Sequence, residues 1–129
     1  MINYARQRAI EALHLVTTAV IATSGLAGVL MSEHPCESIE LDLYLLLPRT
    51  SDHLFNLEQD GRVTLLTAEW ELHGKAHALT KDEPQPKLRR LSEVLTGWDV
   101  VVRVNPSQIQ FRRPDGWGAT ETIDLAAPE

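Results

Sequence analysis

The sequence predicts a mainly β fold with short α helices, closed as an antiparallel barrel. Three observations point there. Ile39 to Leu47 and Trp70 to Ala78 alternate apolar and polar residues with the period of two of a half-buried strand. Turn signals recur between apolar runs, at Ser24-Gly25, Asp60-Gly61, Asn105-Pro106 and Pro114-Asp115-Gly116. Helical patterns are confined to three short segments inserted among hairpin-linked strands, which disfavours a doubly wound sheet.

The elements follow in order. Tyr4 to Leu13 carries good helix formers, with Ala5, Ala9, Ala12 and Leu13 near one face. Leu15 to Thr23 is rich in β-branched residues and reads as a buried strand, with Leu26 to Met31 as its hairpin partner. Ser32 to Ser38, polar and holding Pro35, reads as a loop. In the next strand Ile39, Leu41, Leu43, Leu45 and Leu47 face the core and Glu40, Asp42 and Tyr44 face away. Pro48 ends it, and Ser51 to Gln59 forms a helix capped by Thr50 or Ser51. After Asp60-Gly61, Arg62 to Thr67 starts a strand that leads into the alternating stretch at Trp70. Leu88, Leu91, Val94 and Leu95 make a helical stripe ending at Gly97. Trp98 to Val104, Ile109 to Phe111 and Ala119 to Leu125 supply the last strands, six or seven in all, with Trp70 and Trp98 in the core.

The 129 residues suit a single domain spanning 1–129. Eighteen acidic against twelve basic residues leave a net charge of -6, which opposes a polyphosphate partner, so no nucleic acid is expected. The lone Cys36 forbids an intrachain disulfide and fits a reducing cytoplasm. Leu15 to Met31 is uncharged but holds three Thr, Ser24, Gly25 and Gly28, so it falls short of the roughly 18 predominantly apolar residues of a spanning helix, and no membrane partner is expected. His73 and His77 lie about 13 Å apart along a strand, too far to share an ion, and Glu71 with His73 supplies only two ligands. Cys36, beside Glu33, His34 and Glu37 in the expected loop, is a blunted nucleophile.

The segment Leu43 to Leu66, LYLLLPRTSDHLFNLEQDGRVTLL, concentrates the candidate chemistry. Arg49, Thr50, Ser51 and His53 gather at a helix start, whose free N–H groups and positive dipole end can hold an anion. The same residues also serve as ordinary helix caps, with Asp52 occupying the positive end. No dinucleotide, Walker or paired-cysteine motif accompanies them.

The run Pro48-Arg49-Thr50-Ser51, then Ser51-x-His53-x-x-Asn56-Leu57, then Asp60-Gly61-Arg62-Val63-x-Leu65-Leu66 resembles the strand-helix-strand segment of the pyridoxamine-phosphate-oxidase-like split barrels. Leu72-x-Gly74-x-Ala76 is similar to their next barrel strand. The resemblance implies an antiparallel split β-barrel of Greek-key, FMN-binding type, working as a homodimer with a small-molecule ligand. It implies FMN phosphate at Arg49, Thr50, Ser51 and His53, supported by Arg62, with Trp117 at the flavin edge and subunit interface. Many FMN-binding members place Lys or Arg where this chain has His53, whereas a haem-utilisation-like branch has a similar Ser-x-His-x-x-Asn-Leu run. The implied activity is that of a small flavin-dependent oxidoreductase, with a haem-binding or cofactor-free barrel as the alternative.

Overall fold

A computed structural model describes residues 3–113 and 118–125. Helix α1 (Tyr4–His14) is capped by Asn3, whose side chain accepts the Arg6 N–H, and buries Ala9 and Leu13. Strands β1 (Thr18–Gly25), β2 (Gly28–Ile39) and β3 (Asp42–Pro48) follow, then α2 (Asp52–Gln59). Strands β4 (Arg62–Leu66) and β5 (Trp70–Ala78) precede α3 (Arg90–Val94), and β6 (Asp99–Arg112) and β7 (Ala119–Asp124) complete the sheet. The seven strands run β3-β2-β1-β4-β5-β6-β7, every pair antiparallel. Pairing of β3 with β6, from Leu43 opposite Val104 to Pro48 opposite Asp99, closes six of them into a barrel with β7 outside the closure. None of the described helices is long and apolar enough to cross a membrane.

The barrel interior is filled as the alternation requires. Ile21, Leu43, Leu45, Leu47, Leu65, Leu72, Val102, Val104 and Ile109 are wholly buried, each contributing about 1.5–3 kcal/mol of transfer free energy. The outward side of β3 is also covered. Tyr44 and Leu46 pack against Leu91, Leu88, Leu79 and Val101, so β3 is buried on both faces. Glu37 fixes that cover by accepting the backbone N–H groups of Arg89 (2.7 Å) and Leu91 (3.0 Å). Burial alone would raise the Glu37 carboxyl, but these N–H groups and the nearby Arg90 charge hold it below its ordinary range.

Several expectations are corrected. The loop expected at Ser32 to Ser38 belongs to β2, which pairs with β1 as far as Pro35 opposite Thr18. The hairpin turn sits at Leu26-Ala27, between the facing Gly25 and Gly28, and Gly28 adopts φ 102°. Glu40 and Leu41 leave the strand and turn the chain, Glu40 at φ 55°. The third helix shrinks to five residues in which only Leu91 is buried, because β3 offers it just two side chains to cover. Trp98 is 79% exposed, whereas Trp70 is in the core.

Asn105-Pro106 does not end a strand. The register between β5 and β6 shifts beside His73 and Gly74, and this bulge admits Pro106, which lacks the N–H of a regular ladder. Gly74 makes the bulge possible: a Cβ there would lie 2.3 Å from the Asn105 carbonyl oxygen and 2.9 Å from the Pro106 Cα. Gly74→Ala is therefore expected to cost about 1–3 kcal/mol by overpacking against backbone. In urea denaturation the midpoint should fall while the slope stays at the parent's value; an unchanged midpoint would show that β6 yields freely.

Candidate functional site

Ser51 is the N-cap of α2, its Oγ accepting the His53 N–H at 3.2 Å. Arg49 and Thr50 are exposed beside it, and Arg49 donates from Nε to the Gly97 carbonyl at 2.7 Å. These three residues stand together at the helix start. His53 does not join them: its side chain turns inward and is 3% exposed. Thr23 Oγ1 lies 2.7 Å from its Nδ1 and Ser32 Oγ 2.9 Å from its Nε2, so both ring nitrogens are engaged. Position 53 lies on the helix side that packs on β1, which places the ring apart from Arg49, Thr50 and Ser51. Arg62 lies past the other end of α2 and binds Asp60 through Nε (2.9 Å) and Nη2 (2.6 Å). Trp117 lies outside the described residues.

Around His53 the structure assembles residues that sequence reasoning did not join. Asn56, wholly buried, accepts the Ala27 N–H at 3.0 Å and donates to Thr23 Oγ1 and the Gly28 carbonyl, both at 3.1 Å. Ser32 continues the chain to His34 Nε2 at 2.6 Å, and the two imidazoles meet edge to face with centroids 6.0 Å apart. Burial, then the neighbouring His34, lowers the His53 pKa against the opposing pull of Asp52; burial lowers that of His34. The available signal was Ser32 and His34 two residues apart, on one face of an extended chain.

A groove of about 870 Å³ opens across β1, β4, β5 and β6. Arg62, Lys75 and His73 line it with Asn105, Ser107 and Thr23, and Ala22, Val29, Val63 and Pro106 supply apolar surface. Two cations face one carboxylate, Asp60, so the lining is net positive within a chain of charge -6. The Arg62 guanidinium bonded to it holds the Asp60 carboxyl down at about 2. His73 is engaged by Glu71 (2.7 Å) and Thr64 (3.2 Å). Arg49 lines a separate cavity of about 500 Å³ with Lys81 and Asp99, so the structure does not bring Arg62 and Arg49 to one pocket.

Cys36 is buried in β2, and burial pushes its thiol up to about 12 against the pull of Arg90. It is inert for a different reason from the carboxylate neighbours expected. Among the described residues no group of three or more His, Cys, Asp or Glu could hold a metal ion.

No protein-family model matches the sequence, and no curated protein does. Solved structures match the fold. General Stress Protein 26 from Bacillus anthracis superposes with a TM-score of 0.66 at 16% identity, over 92% of this chain and 98% of that one. A putative pyridoxamine 5'-phosphate oxidase from Listeria innocua gives 0.63 at 14%, over 82% and 96%. A heme binding protein from Mycobacterium smegmatis gives 0.66 at 16%, over 96% of this chain and 59% of that one. The chain thus has the split-barrel fold of the pyridoxamine-phosphate-oxidase-like proteins, in company that includes a haem binder.

Asn56 joins α2 to both strands of the first hairpin, so its loss strands several buried partners. Asn56→Ala is expected to destabilise the chain by about 3 kcal/mol or more, since each buried group left unpaired costs about 1–3 kcal/mol. Chemical denaturation monitored by circular dichroism measures it; a loss under about 1 kcal/mol would mean that water replaces the amide.

Proposed function

We propose that this chain binds an anionic, ring-bearing cofactor of the FMN class in the groove across β1, β4, β5 and β6, and serves as a small flavin-dependent oxidoreductase. The observation that carries this reading is a net-positive groove of about 870 Å³ on an acidic split barrel. That volume lies within the roughly 300–1,000 Å³ of small-molecule and cofactor sites. The residues fit the group. Arg62 keeps Nη1 uncommitted to Asp60, and Lys75 makes no ion pair among the described residues, so both can meet a phosphate. Asn105 and Ser107 offer polar atoms, and Val29, Val63 and Pro106 offer surface for a ring. Bound flavin supplies the redox step, and the chain supplies binding, orientation and electrostatics.

Arg49, Thr50 and Ser51 form the competing phosphate position at the α2 start. Titration with FMN separates the two. Arg62→Ala or Lys75→Ala should weaken binding about ten- to a hundredfold, the loss of about 1.5–3 kcal/mol per charge-assisted hydrogen bond. Asp60→Asn should tighten it by removing the negative charge from the groove. Losses confined to Arg49→Ala would move the phosphate to the helix start, and a parent that binds no FMN would end the flavin reading.

Haem is the second reading, supported by the Mycobacterium smegmatis neighbour and by His73, the one imidazole lining the groove among the described residues. His73 would have to leave Glu71 or Thr64 to meet iron. A visible spectrum decides: flavin bands released on denaturation support the first reading, and a Soret band on haem addition that His73→Ala abolishes supports the second.

The working unit proposed is a homodimer. Leu26 (80% exposed), Val29 (81%) and Met31 (61%) project from the first hairpin, and Val29 also lines the groove. A second copy covering them would wall the groove with its own surface. Sedimentation equilibrium should show a dimer at micromolar concentration, and Val29→Glu should shift it toward monomer. A parent that is monomeric there would overturn the shared site.

A further inference from the structure

The hydrogen bonds around His53 form a chain with one direction. Asn56 Oδ1 accepts the Ala27 N–H, so its amide nitrogen faces Thr23 and donates to that hydroxyl. Thr23 then places its single proton on His53 Nδ1. His53, carrying its proton on Nε2, donates to Ser32, and Ser32 donates to His34 Nε2. In this direction Thr23, His53 and Ser32 each act once as donor and once as acceptor, and both imidazoles are neutral. Helix α2 supplies Asn56 and His53, and the β1–β2 hairpin supplies the rest.

We propose that this chain is an acid-sensitive latch that seats α2 on the β1–β2 hairpin when both imidazoles are neutral and releases it when either takes up a proton. A proton added at His53 Nδ1 faces the Thr23 O–H, and one added at His34 Nε2 faces the Ser32 O–H. In each case two donors meet and a hydroxyl proton is displaced from its acceptor. Two imidazolium rings 6.0 Å apart would repel as well. The surroundings offer little compensation. On α2, Asp52 favours the His53 charge while Glu58 is exposed. β1 carries no ionisable side chain. On β2, Glu33 accepts from Thr18, Glu37 is committed to Arg89 and Leu91, and Cys36 is buried. On β5, His73 and His77 are paired with Glu71 and Glu83, and Lys75 is exposed.

The sign follows from linkage. Both histidines are lowered in the closed form, so the open form binds more protons below pH ~6.5, the unperturbed histidine value. Closure is complete above that pH and lost as pH falls toward the closed-form values. The groove shares Thr23 with the latch, and Arg62 follows α2 after two residues, so opening loosens one groove wall.

Amide hydrogen exchange by NMR on the whole chain between pH 7.5 and 5.5, corrected for intrinsic rates, tests this directly. Protection at Leu54 to Leu57 should drop by up to about tenfold per pH unit for each proton taken up, while amides of the β3–β6 ladder hold. Histidine ring titrations should place both groups below 6.5. His34→Gln keeps an acceptor near Ser32 but cannot titrate, and should make the pH dependence shallower by one proton. Either imidazole titrating at or above 6.5, α2 opening in step with β3–β6, or a His34→Gln profile equal to the parent's would overturn the latch. These readouts need no cofactor, so they stand apart from the flavin titration.

Discussion

The pairing of β3 with β6 is the constraint on which the molecule depends. It joins strands far apart in sequence, removes the two sheet edges that β3 and β6 would otherwise expose, and fixes which β3 side chains fill the barrel. Once Leu43, Leu45 and Leu47 point inward, Tyr44 and Leu46 must face out, and the chain after β5 is drawn over them. Glu37 then fastens that cover at α3. A short, poorly apolar helix therefore survives because a carboxylate from another element holds its first turn. Closure also gives β6 its length of fourteen residues, which pair with β3 from Asp99 to Val104 and with β5 from Val102 to Phe111, the latter across the bulge at Gly74.

Polar chemistry sits at one mouth of this apolar barrel. An apolar pair in place of Asn56 and Thr23 would spare the desolvation of three polar side-chain atoms, but would leave the Ala27 N–H and Gly28 carbonyl without the partner that fixes the hairpin turn. The buried network thus specifies a position more than it adds stability. It sets α2 against β1 and β2, and so sets where Asp60 and Arg62 leave the helix. Gly25 belongs to the same seat, since a Cβ there would lie 2.7 Å from Asn56 Oδ1.

Much of this was legible in the residues. The period-two runs gave β5 its inward face, and Ser51 and Asp60-Gly61 bounded α2 correctly. What failed was local reasoning applied to non-local contacts. Ser32 to Ser38 looks like a loop because it is polar, yet Ser32 meets His53 on a helix some twenty residues later and His34 in turn meets Ser32. Trp98 looks like core because it alternates with valines, but it precedes the strand and projects into solvent. Arg49 and Arg62 read as one cradle because they flank a short helix. Eight helical residues at 1.5 Å each hold its ends about 12 Å apart, and the two side chains serve different cavities.

The groove's two sides respond to protons in opposite fashion, and this follows from how each charge is held. On the β4 side Arg62 keeps Asp60 ionised to about pH 2, so the pair's charge is constant over any working range. Attraction for an anion therefore does not depend on titration of that wall. On the β1 side Thr23 owes its orientation to His53 and Asn56, and His53 loses its neutral form as pH falls. Acid thus leaves the charge of the Asp60–Arg62 pair in place and, through the latch proposed above, acts on the groove's shape. A ligand held mainly by charge would feel the change as looser fit around a constant field, whereas one held mainly by the apolar wall would lose its seat. With the fixed charge at the start of β4 and the titratable support on α2, different elements of so small a barrel would govern affinity and geometry.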